Sequence, residues 1–332
     1  YKMLTTLPDS KRYLLVPEGQ PVPRGLDEDV SILQEPLQNI YLVASGVMDM
    51  FASLDAVGQI RFSGQKQENW YIQTAKDAMA AGDMIYAGKY SKPDYELLVS
   101  EGCDLAIENR MITHSPEVVE MLQSFDIPVM IEYSSYEQHP LGKVEWVKFF
   151  GALTGKEAEA EEAFAEQTEI LEKVESGEKT GKTIAFFYVT SNGLIQVRQS
   201  TDYIPKLIEL AGGRYIFEDL EDSGSGRSTL NMQVEDFYAG AKNADILIYN
   251  SSIDGGVTTL DELIGKCNIL KDFKALQEGQ VYCTTNDMYQ QSMAIGYLLQ
   301  DMHTVLTDDD TAKLRYLFLH LKRPLFFLLQ HF

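Results

Sequence analysis

The sequence predicts an α/β protein built as two doubly wound lobes with parallel sheets, joined by a long helix. Three observations carry that expectation. CDLAIEN at 103–109 recurs in altered form as ADILIYN at 244–250: a small residue and an aspartate lead into an apolar run that ends on asparagine. A helical stretch precedes each copy (PDYELLVSEG, VEDFYAGAKN), and a strand-like stretch follows each (IPVMIEY at 127–133, GQVYCTT at 279–285). Between the copies, GKEAEAEEAFAEQTEILEKVESGEK reads as one charged helix, so the expected arrangement leaves a ligand cleft between the lobes. The implied division is an N-terminal hairpin extension at 1–25, a first lobe at 26–143, connecting helices at 144–178, a second lobe at 179–320 and a tail at 321–332.

Taken in order, residues 1–25 alternate (KRYLLVPEGQPV) and end in Pro and Gly, which reads as a short hairpin. NIYLVAS at 39–45 is a first strand, and Met48, Phe51 and Leu54 after it have helical spacing. IRFSG is a second strand, and WYIQTAKDAMAAG a helix with glycine just past its end, the usual stop signal. Beyond GKYSKPDYELLVSEG come the strand DLAIEN, the helix SPEVVEMLQSF and the strand IPVMIEY, with Ser115 and Pro116 as N-cap and first-turn pair. Strands separated by helices at this spacing indicate a parallel sheet. LGKVEWVKFFGALTG is rich in aromatics and should lie deep. In the helix after it, Ala160, Phe164, Ile170, Leu171 and Val174 share one face, and glutamates fill the other. A packed helical joint of this kind predicts little relative motion of the lobes. The second lobe opens with the strand TIAFFYVTSNG. IQVRQSTDYIPKLIELAGG then gives a short strand and a glycine-terminated helix, and EDSGSGRST a polar loop. After ADILIYN follow the helix LDELIGKCNILKDFKAL, the strand QVYCTT and a final helical region, AIGYLLQDMHTVL.

At 332 residues, with 45% hydrophobic and 23% charged content, the chain is long enough for two ordinary globular domains. Fifty acidic against 28 basic residues give a formal charge of −22, which argues against nucleic acid and against an anionic membrane surface as partners. No stretch is long and apolar enough to span a bilayer; the closing LKRPLFFLLQHF is short and interrupted by Lys322, Arg323 and Pro324. The chain begins at Tyr1, so a signal peptide or a lipid-anchoring cysteine is expected before it. Cys103, Cys267 and Cys283 are too few for a disulfide framework and lack zinc spacing, and no resident cofactor is expected. A monomer is expected.

IYLVASGVMDMFASLDAV, DYELLVSEGCDLAIEN, FDIPVMIEYSSYEQHPLGKVEWVKFFGALTGKEAEAEEAF, LIELAGGRYIFEDL and EDFYAGAKNADILIYN follow one another along the chain. In that order they resemble the helical-backbone (class III) substrate-binding proteins of bacterial ABC importers, which take up ferric siderophores, haem and cobalamin. The likeness runs from Pro36 to Leu317. It implies an extracytoplasmic, lipid-anchored binding protein, at the cell surface or in the periplasm. Such a protein hands an iron chelate, haem or cobalamin-like ligand to the importer's membrane subunits and performs no chemistry; any Fe or Co arrives with the ligand. The resemblance also implies one glutamate per lobe that meets arginines of those subunits. Glu96 in PDYELL and Glu235 in QVEDFY match that pattern, each at the start of the helix before a repeated strand. The plainer account of both is the helix dipole, which favours a first-turn carboxylate by about 0.3–1 kcal/mol.

Candidate ligand contacts lie where strands end. In EYSSYEQHP at 132–140, Tyr133 and Tyr136 are placed to stack on a flat ligand, while Glu137 and His139 either face a metal or buttress the helix that follows. Lys89 and Tyr90 offer a cation beside an aromatic ring. Glu108, Asn109 and Arg110 end the DLAIEN strand, Arg110 being suited to an anionic group. From the second lobe, Asn192, Arg198, Tyr203, Arg227 and Asn250 sit at comparable loop positions, and the two arginines suit a carboxylate or catecholate. Met288 and Tyr289 are apolar walls in the last loop. Siderophore, haem and cobalamin all accept such a set, so the ligand stays open. Two other readings remain. Direct transition-metal binding would use His114 and His139 with Glu108 and Asp287. A small hydrolase or metal-dependent lyase would use the same cleft, but no nucleophile–base pair stands out. GSGRST at 224–229 has no lysine and no strand before it, and neither G-x-S-x-G nor H-E-x-x-H occurs.

Overall fold

The computed structural model describes residues 1–220, 228–308 and 310–318. The chain divides into two compact units. One comprises 1–137, 141–166 and 289–293; the other comprises 138–140, 167–288 and the described residues from 294 onward.

In the first unit, β1 (Lys2–Thr6) and β2 (Lys11–Val16) form the expected antiparallel hairpin. The alternation that predicts it sends Tyr13 and Leu15 into the core. β3 (Val30–Gln34), for which the sequence gives no expectation, pairs parallel with β2. VSILQ buries only Leu33 fully, too little contrast for a periodic signal. The main sheet is wholly parallel, as predicted. Its strands are β4 (Ile40–Leu42), β5 (Ile60–Ser63) and β6 (Ile85–Tyr86), then, after a small antiparallel pair β7 (Gly88–Lys89) and β8 (Lys92–Pro93), β9 (Leu105–Asn109) and β10 (Val129–Glu132). Their spatial order is β10-β9-β4-β5-β6. Between them run α1 (Val47–Ser53), α2 (Gln73–Ala81), α3 (Tyr95–Ser100) and α4 (Pro116–Ser124). α2 stops at Gly82, whose φ of 82° is the left-handed cap the sequence announces. Ser115 does sit at the N-cap of α4 ahead of Pro116, but its hydroxyl makes no capping bond.

α5 (Pro140–Thr154) buries Val144, Val147, Phe150 and Leu153, in line with its expected depth. α6 (Glu157–Glu175) follows it; residues 157–166 belong to the first unit and 167–175 to the second. The two helices meet at Gly151, where an added Cβ would lie 2.5 Å from the Cβ of Ala160. Ala160, Leu171 and Val174 are buried on the predicted face of α6. Gln167 interrupts that face, and its Oε1 accepts the Gly296 N–H at 2.8 Å.

The second unit holds β11 (Thr183–Val189), β12 (Ile195–Arg198), β13 (Arg214–Tyr215), β14 (Thr229–Met232), β15 (Ile246–Tyr249), β16 (Val281–Thr284) and β17 (Leu317–Phe318). The order is β14-β12-β11-β15-β16-β17, with β13 also on β11. β11, β13, β15 and β16 form the predicted parallel core, whereas β12 pairs antiparallel with both β11 and β14, and β17 pairs antiparallel with β16. The reversal at β12 has a simple cause. Residues 190–194, with Gly193 at φ 81°, are too few for a parallel crossover and form a hairpin turn instead. The helices are α7 (Tyr203–Leu210), α8 (Val234–Ala241), α9 (Leu260–Lys266), α10 (Lys274–Gln277) and α11 (Ile295–Thr307). The single helix expected over LDELIGKCNILKDFKAL is broken into α9, a 3₁₀ turn at Asn268–Asp272 and α10. Its buried residues Cys267, Leu270, Phe273 and Leu276 recur every three positions, a spacing that suits 3₁₀ geometry better than α.

The repeat that predicts two lobes has a mechanical basis. Asp104 Oδ2 accepts the N–H groups of Gln38 (2.9 Å) and Asn39 (2.8 Å), tying the start of β9 to the chain entering β4. Asp245 Oδ2 does the same for β11, accepting from the N–H (2.7 Å) and Oγ1 (2.8 Å) of Thr183. At the other end, Asn109 Oδ1 accepts the Met111 N–H (2.8 Å) and Asn250 Oδ1 the Ser252 N–H (3.2 Å), turning the chain off the sheet.

Candidate functional site

The strand order of the first unit changes direction between β4 and β9, and open parallel sheets bind ligands outside the carboxyl ends at such a switch point. Asn109 ends β9 there and starts a 3₁₀ helix, Arg110–His114. The Arg110 guanidinium lies 4.5 Å from the centroid of the Tyr136 ring, and among the described residues no carboxylate pairs with it. Tyr136 ends the 3₁₀ turn after β10 and is 39% exposed. Tyr133, at the head of that turn, donates its hydroxyl to Asp9 Oδ2 at 3.2 Å. Burial, together with the Asp9 charge, pushes the Tyr133 phenol up to about 12, with Arg110 opposing. The segment 289–293 belongs to this unit too. Gln290 Oε1 accepts the Tyr71 N–H, its Nε2 donates to the Asn69 carbonyl, both at 2.8 Å, and Asp49 Oδ2 accepts the Met293 N–H at 2.7 Å. A Cβ on Gly46, just before α1, would stand 3.3 Å from the Tyr289 carbonyl oxygen. Arg110, Tyr133 and Tyr136 thus come from the loops after β9 and β10 at the carboxyl edge of one sheet, and the Tyr289 backbone lies against Gly46 in the loop after β4.

Other candidates are placed differently. Glu108 does not end the strand as a site residue; it is fully buried on the face of β9 that carries Ala106. Neither of its oxygens has a hydrogen-bond partner, and burial raises its carboxyl to about 8. Glu132 is buried as well, accepting from the Ser134 N–H (2.9 Å) and Oγ (2.6 Å). Glu137 takes the buttressing role, accepting from Trp146 Nε1 at 2.9 Å. His114, His139 and Lys89 are exposed, and Tyr90 packs partly against the apolar cluster around Tyr41 and Leu98. Among the described residues no group of three or more His, Cys, Asp or Glu side chains is placed to hold a metal ion.

In the second unit, Arg198 and Tyr203 are not on loops at the carboxyl edge. β12 runs antiparallel, so Arg198 falls opposite the middle of β11 and Tyr203 opens α7 beyond it. The Arg198 guanidinium is buried, 3.4 Å from Asp202 Oδ2 and 5.7 Å from the Phe186 ring centroid, and its backbone N–H and carbonyl both bond the Tyr215 hydroxyl. Tyr203 and Met288 are buried in this unit, and Asn250 is buried against Ser252. Asn192 is exposed in the β11–β12 turn. Arg227 lies outside the described residues. Glu96 and Glu235 are both exposed, each the second residue of its helix, α3 and α8.

No family model matches the chain. Over 316 residues it is 25% identical to an uncharacterised lipoprotein of Methanocaldococcus jannaschii, spanning 89% of this chain and 72% of that one. It superposes on the periplasmic haem-binding protein of Vibrio cholerae with a TM-score of 0.63 and 15% identity, covering 80% of this chain and 98% of that one. For the periplasmic catecholate-siderophore binding protein of the same organism the values are 0.61, 12%, 83% and 95%. The fold is that of the periplasmic haem- and siderophore-binding proteins. The likeness read between Pro36 and Leu317 holds at the level of that fold.

Within this binding-protein fold, one residue at the carboxyl edge escapes sequence reasoning. Asp9, in the hairpin turn, meets Tyr133 across 124 positions of chain. Its only sequence signal is a turn-forming aspartate after Pro8, which says nothing of a distant partner.

Proposed function

We propose that this chain is the extracytoplasmic binding protein of an ABC importer and that it binds an anionic iron chelate, a siderophore or haem, or a cobalamin-like ligand, without acting on it chemically. The single observation that carries the reading is Arg110, a cation stacked on Tyr136 at the carboxyl edge of a parallel sheet, with no acidic partner among the described residues. In a chain with 50 acidic residues, such a cation suits an anionic group, and Tyr133 and Tyr136 suit its ring. Support comes from the shared fold with haem- and catecholate-binding proteins, and from a relative named as a lipoprotein, which favours anchored placement outside the cytoplasm. The metal of the ligand is cargo. Glu96 and Glu235 are proposed as the contacts for the importer's membrane subunits.

The experiment is a titration of purified protein with haemin, a ferric tricatecholate, a ferric trihydroxamate and cobalamin, read by quenching of Trp70 and Trp146. One of them is expected to bind with Kd of about 1 µM or tighter. Arg110→Ala should weaken it by about tenfold or more, the scale of a charge-assisted hydrogen bond. Folded protein that binds none of the four overturns the reading; wild-type affinity in Arg110→Ala removes this edge as the site.

A further inference from the structure

We propose that the N-terminal hairpin forms one wall of the ligand surface of the first unit: Asp9 positions Tyr133, and Leu7 at the hairpin tip packs on the ligand held at Arg110 and Tyr136. The inference rests on the reading of this edge as a chelate-binding surface, and it adds an element that reading does not contain.

The hairpin is locked to the strand that delivers the aromatic residues. β10 is the edge strand of the main sheet, and the Tyr13 hydroxyl donates to its Val129 carbonyl at 3.2 Å. The second lock is Tyr133 to Asp9, immediately beyond the end of β10. Asp9 is itself held: its Oδ1 accepts from Thr6 Oγ1 at 2.5 Å and from the Lys11 N–H at 3.2 Å. One carboxylate therefore closes the turn with one oxygen and orients a phenol with the other. A charge-assisted bond from a phenol to a fixed carboxylate holds the ring in one orientation at its far end.

Leu7 sits in that turn, two residues from Asp9, and is 85% exposed. A solitary exposed leucine is ordinary on a protein surface. Leu7 differs because the chain just after it is tied down, by Asp9 to Tyr133 and by Tyr13 to Val129, which holds this turn beside the end of β10. Burying Leu7 under a ligand would remove its apolar surface from water, which favours binding. An apolar wall, two phenol rings and a guanidinium together fit a ligand with a broad ring face and an anionic margin, a porphyrin or a tricatecholate rather than a compact hydrophilic ion.

Haemin and a ferric tricatecholate are the probes. Leu7→Ser and Asp9→Ala should each weaken the probe that binds by about fivefold or more, as loss of an apolar contact or a positioned ring predicts. Asp9→Asn keeps a side-chain hydrogen bond to the Tyr133 hydroxyl, accepting through its carbonyl oxygen or donating through its Nδ2, and should recover most of the affinity. Leu7 lies outside the core, so Leu7→Ser should melt with the parent and separates contact loss from unfolding. Wild-type affinity in both Leu7→Ser and Asp9→Ala overturns the hairpin wall while leaving the functional reading intact. Asp9→Asn as weak as Asp9→Ala overturns the positioning role. A parent that binds neither probe overturns the inference through its premise, a result distinct from unaffected variants.

Discussion

Glu108 and Tyr249 occupy the same place in the two copies of the repeat, one residue before the asparagine that leaves the sheet. Tyr249 satisfies its hydroxyl on Asp254 Oδ2 at 2.9 Å, while Glu108 is buried without a partner and its carboxyl is raised to about 8. Tyr41 on β4 and Tyr95 on α3 face it closely enough for its charge to raise their phenols further. The consequence for stability has a definite sign. With the folded value raised from 4.5, the neutral carboxyl favours the folded state fully below pH 4.5. That contribution drains away as pH climbs to about 8, where the folded protein ionises too. Glu108→Gln removes the titration, so its stability should match the parent near pH 4 and exceed it near pH 9 by on the order of a few kcal/mol, read as a higher melting temperature there. Parallel melting profiles for the two proteins across that range would sink this account. At this scale the sequence identifies Glu108, Asn109 and Arg110 as a trio at a strand end. It does not say which of the three faces the core, because that depends on where β9 stops and on what covers it.

At the scale of elements, α3 and α8 are the matched helices that lead into the repeated strands. Glu96 and Glu235 hold the same second position and are both exposed. α3 does not need Glu96 as a cap, because Asp94 caps it through the Leu97 N–H at 3.1 Å; α8 has no side-chain cap, and Glu235 shares its first turn with Asp236. Replacing either with alanine forfeits a dipole interaction of about 0.3–1 kcal/mol and no packing. Glu96→Ala combined with Glu235→Ala should therefore keep ligand affinity and fold while abolishing importer-stimulated uptake in reconstituted vesicles. Normal uptake by the double variant reduces both to dipole partners. Helices with clean stop signals, such as α2 with Gly82, are legible in the sequence because their ends are decided by local backbone energetics. The split of LDELIGKCNILKDFKAL into α9, a 3₁₀ turn and α10 is legible only from its three-residue burial spacing, which emerges once the core is packed.

For the whole molecule, a formal charge of −22 opposes the approach of an anionic chelate even though Arg110 attracts it at contact. Long-range repulsion is screened at a Debye length of about 8 Å in physiological salt, so raising ionic strength from about 0.01 to 0.15 M should raise the association rate for an anionic probe. A rate that falls steeply with salt, measured by stopped-flow quenching, would show local cations dominating the encounter. The sequence by itself determined the α/β class, two similar halves, the long α6 and the pool of cations and aromatics from which a site can be drawn. All of these follow from periodicity and residue chemistry, which act over a few positions. Tertiary structure alone decided which members of the pool are available. An antiparallel β12 commits Arg198 to Asp202, burial withdraws Glu108, residues 289–293 bring Tyr289 to the first unit, and Asp9 finds Tyr133. The reversal of β12 follows from the short turn at 190–194, but the burial of Glu108 and the pairings across more than a hundred residues are encoded by no local pattern, because the free energy that selects them is spread over the whole packed chain.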